Sequence, residues 1–457
     1  MCLIRRIILC CLGMLAWLGV ACATLPATAI LEVRAGGSDT NGGGFNPARS
    51  ASGVDRSQQD APHVVIDGAT ITGTVAATTT RLELVGHTAV DADLGNYVQI
   101  ASGATAGYYE IVAVGSNYWQ FDRACGTAGQ SAVAKMGGAF GSPGATIAPA
   151  VALNIVYVKS GTYTLSTSTP GAGGPISTTL YILIEGYNST RGDLGTKPVI
   201  SAGAQTGITI VTAGGSSAQG VTIINLAVDG NNGTDNIGFN VFAGRASAYN
   251  CSAINCTTGY AGSALGTIVK SYAESCTTGY TNGARKSVAK SCTTGFSSTQ
   301  TAFSDCLAIS CTTGFTTTAQ GQNFSNCTSY GASGDGFSGS GPVTYVNCLA
   351  VSSGGYGFGA TGLSRLLTCA NYAATSGATN GTPFVNKGFI TLTADPFVNA
   401  AGGDFRLNAT AGGGAALRSL GIGIYGQTDS RDIGAVQHTD PAGSGAAGYS
   451  RGRVVNQ

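Results

Sequence analysis

A short pattern that recurs along the middle of the chain limits the possible folds more than any other feature. The stretch AINCTTGYAGS at residues 253–263 returns as AESCTTGYTNG, AKSCTTGFSST and AISCTTGFTTT. A glycine before an aromatic residue marks one point of each repeat, at Gly238, Gly259, Gly279, Gly295, Gly314, Gly336 and Gly357, in steps of 21, 20, 16, 19, 22 and 21 residues. A period near 20 without helical spacing predicts the coils of a parallel β-solenoid, whose strands stack about 4.8 Å apart.

Three columns of side chains follow from aligning the coils on this glycine. We expect one inward aromatic column, made of Phe239, Tyr260, Tyr280, Phe296, Phe315, Phe337 and Phe358. The cysteines form two more columns, Cys251, Cys306, Cys327 and Cys348 eight or nine residues before the glycine, and Cys256, Cys276, Cys292 and Cys311 three residues before it. Small thiols are often buried and can stack in a narrow coil, so we expect packing ladders at a corner that Thr-Thr-Gly turns.

The spacing of these cysteines leaves their redox state open. Neighbouring coils hold them about 4.8 Å apart, within the range that a disulfide tolerates between Cα atoms. In-register side chains on parallel strands point the same way, however, which keeps their Cβ atoms too far apart for an unstrained bridge. We therefore expect mostly reduced thiols, although export would favour oxidation.

The ends of the chain differ from the repeats. Residues 1–29 contain two arginines, an apolar run and an Ala-Thr-Ala site, which indicates a secretory signal peptide, with lipidation at Cys22 as the alternative. We assign residues 30–144 to a small N-terminal β module, 151–395 to the β-solenoid, 396–440 to closing coils or a cap, and 441–457 to a flexible tail. The Gly/Pro-containing stretch 141–150 is the expected junction.

Composition excludes several functions. Charged residues make up only 10% of the chain and its net charge is +1, so neither nucleic-acid binding nor a polybasic membrane patch is expected. The apolar run near the N-terminus is too short for a transmembrane span. The three histidines lie outside the repeats and no C-x-x-C occurs, so we expect no metal site and no cofactor.

The repeats and the segments around them resemble a known superfamily. The Gly-aromatic coils, NIVYVKSGTYTL at 154–165 and VTIINLAVDGNN at 221–232 resemble right-handed parallel β-helix proteins of the pectate-lyase-like superfamily. The closing ADPFVNAAGGDFRLN and SRDIGAVQ are similar to the end of secreted proteins of the choice-of-anchor Q type, although GGGAALRSLGIG replaces their usual Ser-Pro-Ala-Ile-Asp. The resemblance implies an all-β fold, export and a carbohydrate-facing or surface role.

Catalysis on such a scaffold needs ionisable groups that converge on one outer face. The candidates are sparse: Asp229, Asp235, Arg245, Lys270 and Glu274. We therefore favour a secreted, non-catalytic surface or matrix protein, with extracellular polysaccharide or the cell envelope as partner. The alternative is a polysaccharide lyase or glycoside hydrolase, for which calcium would be the candidate cofactor; a virion fibre is disfavoured by the signal peptide. The oligomeric state stays open.

Two further motifs have structural and functional interpretations. Arg191-Gly192-Asp193 matches an integrin-binding tripeptide, but three residues in a turn have little specificity. One threonine of each repeat would stack into a flat hydroxyl ladder of the kind that binds ice or crystalline polysaccharide: Thr257, Thr277, Thr293 and Thr312. The preference of these residues for turns at a corner explains them equally well.

Overall fold

The computed structural model describes residues 29–72, 79–102, 105–147, 149–214, 220–241, 246–262, 266–281, 283–298, 301–317, 321–339, 341–360, 364–418, 420–422 and 432–436. The tail predicted from the sequence lies outside these residues, as do residues 1–28 of the predicted signal peptide. Three long sheets, each built almost entirely of parallel strands, wind around one core, and a small β-barrel precedes most of them. The predicted fold class, an all-β right-handed parallel β-helix with an N-terminal β module, is confirmed.

Each coil contributes one strand to each of three sheets. Sheet 1 comprises β2 (Gly44–Phe45), β1 (Ile30–Val33), β9 (Ile155–Lys159), β12 (Leu183–Tyr187), β15 (Thr222–Ile224), β18 (Ser247–Tyr249), β21 (Thr267–Val269), β24 (Ala284–Arg285), β27 (Phe303–Ser304), β30 (Gln322–Ser325), β33 (Val343–Val346), β36 (Arg365–Leu367) and β39 (Val385–Lys387), in spatial order. All of its pairings are parallel except the one between β1 and β2.

Sheets 2 and 3 follow sheet 1 in every coil. Sheet 2 comprises β10 (Thr162–Thr164), β13 (Val199–Ser201), β16 (Ala227–Asp229), β19 (Ser252–Ile254), β22 (Tyr272–Glu274), β25 (Val288–Lys290), β28 (Leu307–Ile309), β31 (Thr328–Tyr330), β34 (Leu349–Val351), β37 (Ala370–Tyr372) and β40 (Ile390–Thr391). Sheet 3 comprises β11 (Ile176–Thr178), β14 (Thr209–Ala213), β17 (Ile237–Val241), β20 (Thr258–Gly262), β23 (Thr278–Tyr280), β26 (Thr294–Ser298), β29 (Thr313–Thr317), β32 (Phe337–Gly339), β35 (Tyr356–Ala360) and β38 (Gly377–Thr379).

The N-terminal barrel is closed and antiparallel. Its strands are β3 (Val64–Thr72), β4 (Arg81–Glu83), β7 (Tyr118–Phe121), β6 (Gly107–Gly115), β5 (Tyr97–Ser102) and β8 (Ser131–Met136), in spatial order. The range 30–144 also contains β1, which pairs in parallel with β9 and therefore belongs to the first coil. The expected junction is no exposed linker, because Pro143–Ile147 forms a 3₁₀ turn whose first four residues are buried.

Inside the solenoid, the aromatic side chains form a continuous stack. The seven residues that the alignment placed in one column have fully buried rings, with consecutive centroids 4.7–5.1 Å apart and interplanar angles of 3–9°. This spacing equals the strand separation, so the rings of successive coils stack in contact. In the later coils a second buried ring from sheet 1, that of Phe303, Phe324 or Tyr345, packs edge-on against this stack.

The glycine before each ring allows the coils to stack closely. A Cβ atom at Gly259 would lie 2.8 Å from the carbonyl oxygen of Gly279 and 3.3 Å from the Cβ of Ala273 on sheet 2. The same conflict with the next coil, at 2.5–2.8 Å, recurs at Gly238, Gly279, Gly295, Gly314 and Gly336. Glycine on sheet 3 therefore faces small residues on sheet 2, and the repeat depends on this close approach.

The corners of the coils differ from the expected Thr-Thr-Gly turns. Thr258 and Gly259 already belong to a strand, and the corner is turned by one residue in the left-handed conformation, which lies immediately before the cysteine where a coil has one. Between sheets 1 and 2 these residues have φ of 49–56° and are Asn225, Asn250, Lys270, Lys286, Asp305, Asn326, Asn347 and Thr368. Between sheets 2 and 3 they have φ of 51–54° and are Asn255, Ser275, Ser291, Ser310, Ser352 and Ala373.

The residue after each left-handed position points into the corner, where a thiol fits. Each repeat cysteine donates from Sγ to the carbonyl oxygen two residues earlier, at 3.2–3.6 Å. Cys369 extends the first column. Ser271 and Ser287, which replace cysteine in two coils, donate to the equivalent carbonyls at 3.1 and 2.9 Å. Burial raises the pKa of Cys251 to about 12, so its thiol is protonated at neutral pH.

The C-terminal segment lies on the outside of the solenoid. After β40, the hairpin of β41 (Phe397–Asn399) and β42 (Asp404–Leu407) packs on the outer face of sheet 2, where Phe397 and Phe405 contact Tyr330 with ring centroids 5.9 and 5.3 Å apart. Residues 420–422 and 432–436 continue along this face. The described residues of the range 396–440, which was expected to form closing coils or a cap, thus cover apolar residues that point outward from sheet 2.

We expect Gly279→Ala to lower the free energy of unfolding by about 1–3 kcal/mol, since its Cβ would lie 2.5 Å from the Gly295 carbonyl oxygen. Urea denaturation followed by circular dichroism measures the change. Ser297→Ala, at an outward position of sheet 3, is the control and should change stability by less than about 0.5 kcal/mol. Equal stability of Gly279→Ala and the parent would contradict the role of the glycine column.

The ten described cysteines are free and buried, so thiol titration of the denatured, unreduced mature protein should recover most of them. Cys292→Ala should cost about 1–2 kcal/mol through a small cavity. Cys292→Ser should cost a similar amount, because Ser353, the serine in the same corner column, is buried and its hydroxyl has no hydrogen-bond partner among the described residues. Recovery of two or fewer thiols would show that the ladders are covalent.

Candidate functional site

The sequence-predicted catalytic residues do not form one constellation in the described structure. Asp229 and Glu274 occupy the same outward column of sheet 2, but Ile254 lies between them, so they are roughly 10 Å apart along the axis. Asp229 accepts hydrogen bonds from the backbone N of Asn231 at 2.8 Å and from Asn255 Nδ2 at 3.1 Å. These contacts are those of a turn and its neighbouring coil.

The other candidates have local partners. Glu274 forms an ion pair with Lys290, with 2.9 Å between Oε1 and Nζ. Burial opposes ionisation of Glu274, but hydrogen bonds from Lys290 and Tyr272 outweigh it and lower its pKa. Lys270 occupies a corner and donates to the Tyr249 hydroxyl at 2.7 Å.

Asp235 lies on an exposed turn at φ 59°, and Arg245 is outside the described residues. No group of three metal-ligating side chains is found in the described part of the chain. The histidines give no pair of the kind that nucleophilic catalysis uses: His87 contacts Asp93 at 3.2 Å within the barrel, His63 lies at the edge of the barrel strand β3, and His438 is not described.

The Arg-Gly-Asp sequence has a structural role. Arg191 forms ion pairs with Glu32 at 2.7 Å and Asp55 at 2.8 Å, and Glu32 is fully buried. These pairs join the first strand of the solenoid and the segment leading to the barrel to a loop of the second coil. Asp193 accepts four backbone N–H groups, from Asn188, Ser189, Thr190 and Gly195, and these hydrogen bonds lower its pKa. Both charged side chains of the tripeptide are therefore engaged within the protein.

This cluster could not be found from sequence spacing. Glu32 and Arg191 are 159 positions apart, and neither lies in the repeat. The only signal in the sequence was the opposite charge of these two residues, because a carboxylate that becomes buried requires a partner. Sequence reasoning also missed an exposed phenylalanine, Phe384, which lies beside Arg365 near the end of sheet 1.

The outer faces of the three sheets differ. Sheet 2 is covered by the C-terminal segment from β25 onward. Sheet 3 presents hydroxyl groups in register: Thr258, Thr278, Thr294 and Thr313 form one outward column, and Thr281, Ser297 and Thr316 form most of a second, in which Ala261 is the one member without a hydroxyl. The corner column of Thr257, Thr277, Thr293 and Thr312 lies beside them.

The resulting surface is neutral over these four coils, since none of its outward positions carries a charge. Parallel register repeats each hydroxyl about every 4.8 Å along the axis. Within the part of the chain that the structure describes, the hydroxyls of Thr258, Thr278, Thr294 and Thr313 form no hydrogen bond to another protein group, and they remain available to a ligand. The expected threonine ladder is thus one edge of a broader hydroxyl face.

No protein-family model and no curated protein sequence matches the chain. Among solved structures, it is similar to pectate lyase Pel9A, with a TM-score of 0.43 and 16% identity over 66% of this chain and 92% of that one. It is also similar to the A-module of the Azotobacter vinelandii mannuronan C-5 epimerase AlgE4, with a TM-score of 0.40 and 14% identity over 55% and 76% of the two chains. The complex of XylC with xylose gives a TM-score of 0.36 and 9% identity over 80% and 86%. Among the described residues, no helix has the length and apolar character needed to cross a membrane.

We expect Arg191→Ala to lower the free energy of unfolding by about 3–5 kcal/mol, because it would leave the fully buried Glu32 with an incompletely compensated charge. Chemical denaturation measures this loss. The matched control is Arg406→Ala, which removes an exposed pair with Asp404 and should lower the stability far less, because solvent screens exposed pairs. Equal effects of the two substitutions would show that the Glu32 cluster does not stabilise the junction.

Proposed function

We propose that this chain is an exported, non-catalytic β-helix protein of the cell surface or extracellular matrix, which binds polysaccharide on the outer face of sheet 3. The observation that carries the proposal is the hydroxyl face, which is neutral and regular over four consecutive coils. The predicted signal peptide supports the exported location.

The chemistry of this face suits a neutral polymer with repeated hydroxyl groups. Each hydroxyl both donates and accepts, as do the hydroxyls of a sugar. A single hydrogen bond contributes only about 0.5–1.5 kcal/mol net, so affinity must come from many bonds made together. A rigid sheet with hydroxyls in register makes several such bonds without ordering flexible loops, which favours an ordered, insoluble polysaccharide over a single soluble chain.

The alternative function, a polysaccharide lyase or glycoside hydrolase, requires carboxylates and a cation within hydrogen-bond reach of the same substrate atoms. Asp229, Glu274 and Lys270 instead take part in separate contacts. The binding proposal therefore places no catalytic role on them and needs no calcium.

We expect the triple variant Thr278→Val, Thr294→Val and Thr313→Val to bind microcrystalline cellulose or chitin at least 10-fold more weakly, since valine keeps the shape but loses the hydroxyl. Sedimentation with the insoluble polymer measures the bound fraction. The control variant carries Thr162→Val and Thr267→Val, exposed outward positions of sheets 2 and 1, and should bind like the parent. Equal binding by the triple variant, or release of unsaturated or reducing ends by the parent, would contradict the proposal.

A further inference from the structure

A shallow cavity of about 290 Å³ lies at the corner where sheet 3 leads into sheet 1, near the C-terminal end of the solenoid. Its lining comes from the starts of successive sheet 1 strands and consists of Gly321, Pro342, Val343, Thr344, Arg365 and Phe384. This volume is just below the range of about 300–1,000 Å³ found for ligand pockets. The cavity thus suits one small unit, such as a single sugar residue.

The cation in this cavity has no acidic partner among the described residues. Arg365 is exposed and points outward, and its neighbours in the same column are Thr344 on one side and Val385 on the other. Its guanidinium carbon lies 6.0 Å from the centroid of the Phe384 ring, and no carboxylate forms an ion pair with it. A planar guanidinium in this position can bind a carboxylate or a sulfate through two parallel hydrogen bonds.

Two apolar side chains lie in the same cavity as this cation. Phe384 is 68% exposed, although large apolar side chains are usually buried. Pro342 adds a second apolar surface to the same cavity. Exposed aromatic surface next to polar groups is typical of ligand grooves, and the face of a ring packs against the C–H groups of a sugar.

We propose that this cavity binds an anionic sugar residue, with its carboxylate or sulfate on Arg365, its apolar face on Phe384, and a hydroxyl near Thr344. The proposal takes the polysaccharide class from the proposed function, but it concerns other residues and a charged ligand. Binding of a neutral polymer on sheet 3 and binding of an anionic sugar in this cavity can therefore be tested separately.

The test is calorimetric titration at about 50 mM salt with oligogalacturonate, dextran sulfate, neutral dextran and polyglutamate. We expect the parent to bind at least one of the anionic saccharides, and to bind it more tightly than dextran or polyglutamate. Arg365→Gln should weaken that binding at least 10-fold and Phe384→Ala at least 3-fold. The control Arg285→Gln removes an exposed, outward arginine of the same sheet that does not line the cavity, and it should bind like the parent.

The two probes distinguish the source of the charge. Binding of oligogalacturonate alone would assign a carboxylate ligand, binding of dextran sulfate alone a sulfated one, and both results support the site. Any of four results would overturn it: equal losses of binding in Arg365→Gln and Arg285→Gln, no effect of Phe384→Ala, binding of polyglutamate as tight as that of the saccharides, or no binding at all. The triple threonine variant should retain anionic binding and Arg365→Gln should retain cellulose binding, so failure of one proposal can be told from failure of the other.

Discussion

The close approach of sheets 2 and 3 is the constraint on which the rest of the solenoid depends. Glycine on one sheet faces alanine on the other, and an added methyl group would lie within 3 Å of the backbone of the next coil. The aromatic stack occupies the interior beside this contact, and in the later coils a second ring from sheet 1 packs edge-on against it. With the interior so narrow, each corner is turned on one left-handed residue, and the side chain that follows must be small.

These constraints explain which parts of the structure the sequence predicts. The column from Phe239 to Phe358 was found because each ring directly follows the glycine that the close approach requires, so the pattern repeats visibly. Cys369 was missed because its coil lacks the glycine-aromatic pair: Ala378 and Thr379 stand in register with Gly357 and Phe358. The corners were assigned to the wrong residues because asparagine, serine, lysine, aspartate and threonine all serve as the left-handed residue. Because such different residues adopt this conformation, no single residue type marks the corners in the sequence.

The candidate sites were less predictable than the fold. Alignment on the glycine placed Thr257 and its equivalents in register. It did not identify the outward strand positions beside them, because two consecutive residues of each strand, such as Gly259 and Tyr260, are both buried and interrupt the alternation of inward and outward side chains. Arg365 and Phe384 lie outside the repeated motif, and only the stacking of sheet 1 brings them together. Charged residues near one another in sequence, such as Lys270 at a corner and Glu274 at the end of β22, make contacts with different partners. Proximity along the chain is therefore a poor guide to proximity on the surface of a solenoid.

The C-terminal segment changes how the molecule would come apart. In a simple repeat protein each coil touches only its neighbours, so the end coils can fray one after another. Here one segment packs against outward residues of many coils at once, from Val288 on β25 to Ala370 on β37. Loss of any of these coils would also break contacts made by the others through that segment. The C-terminal part of the solenoid should therefore unfold in a single cooperative step, as a globular domain does, rather than unravelling from its free end.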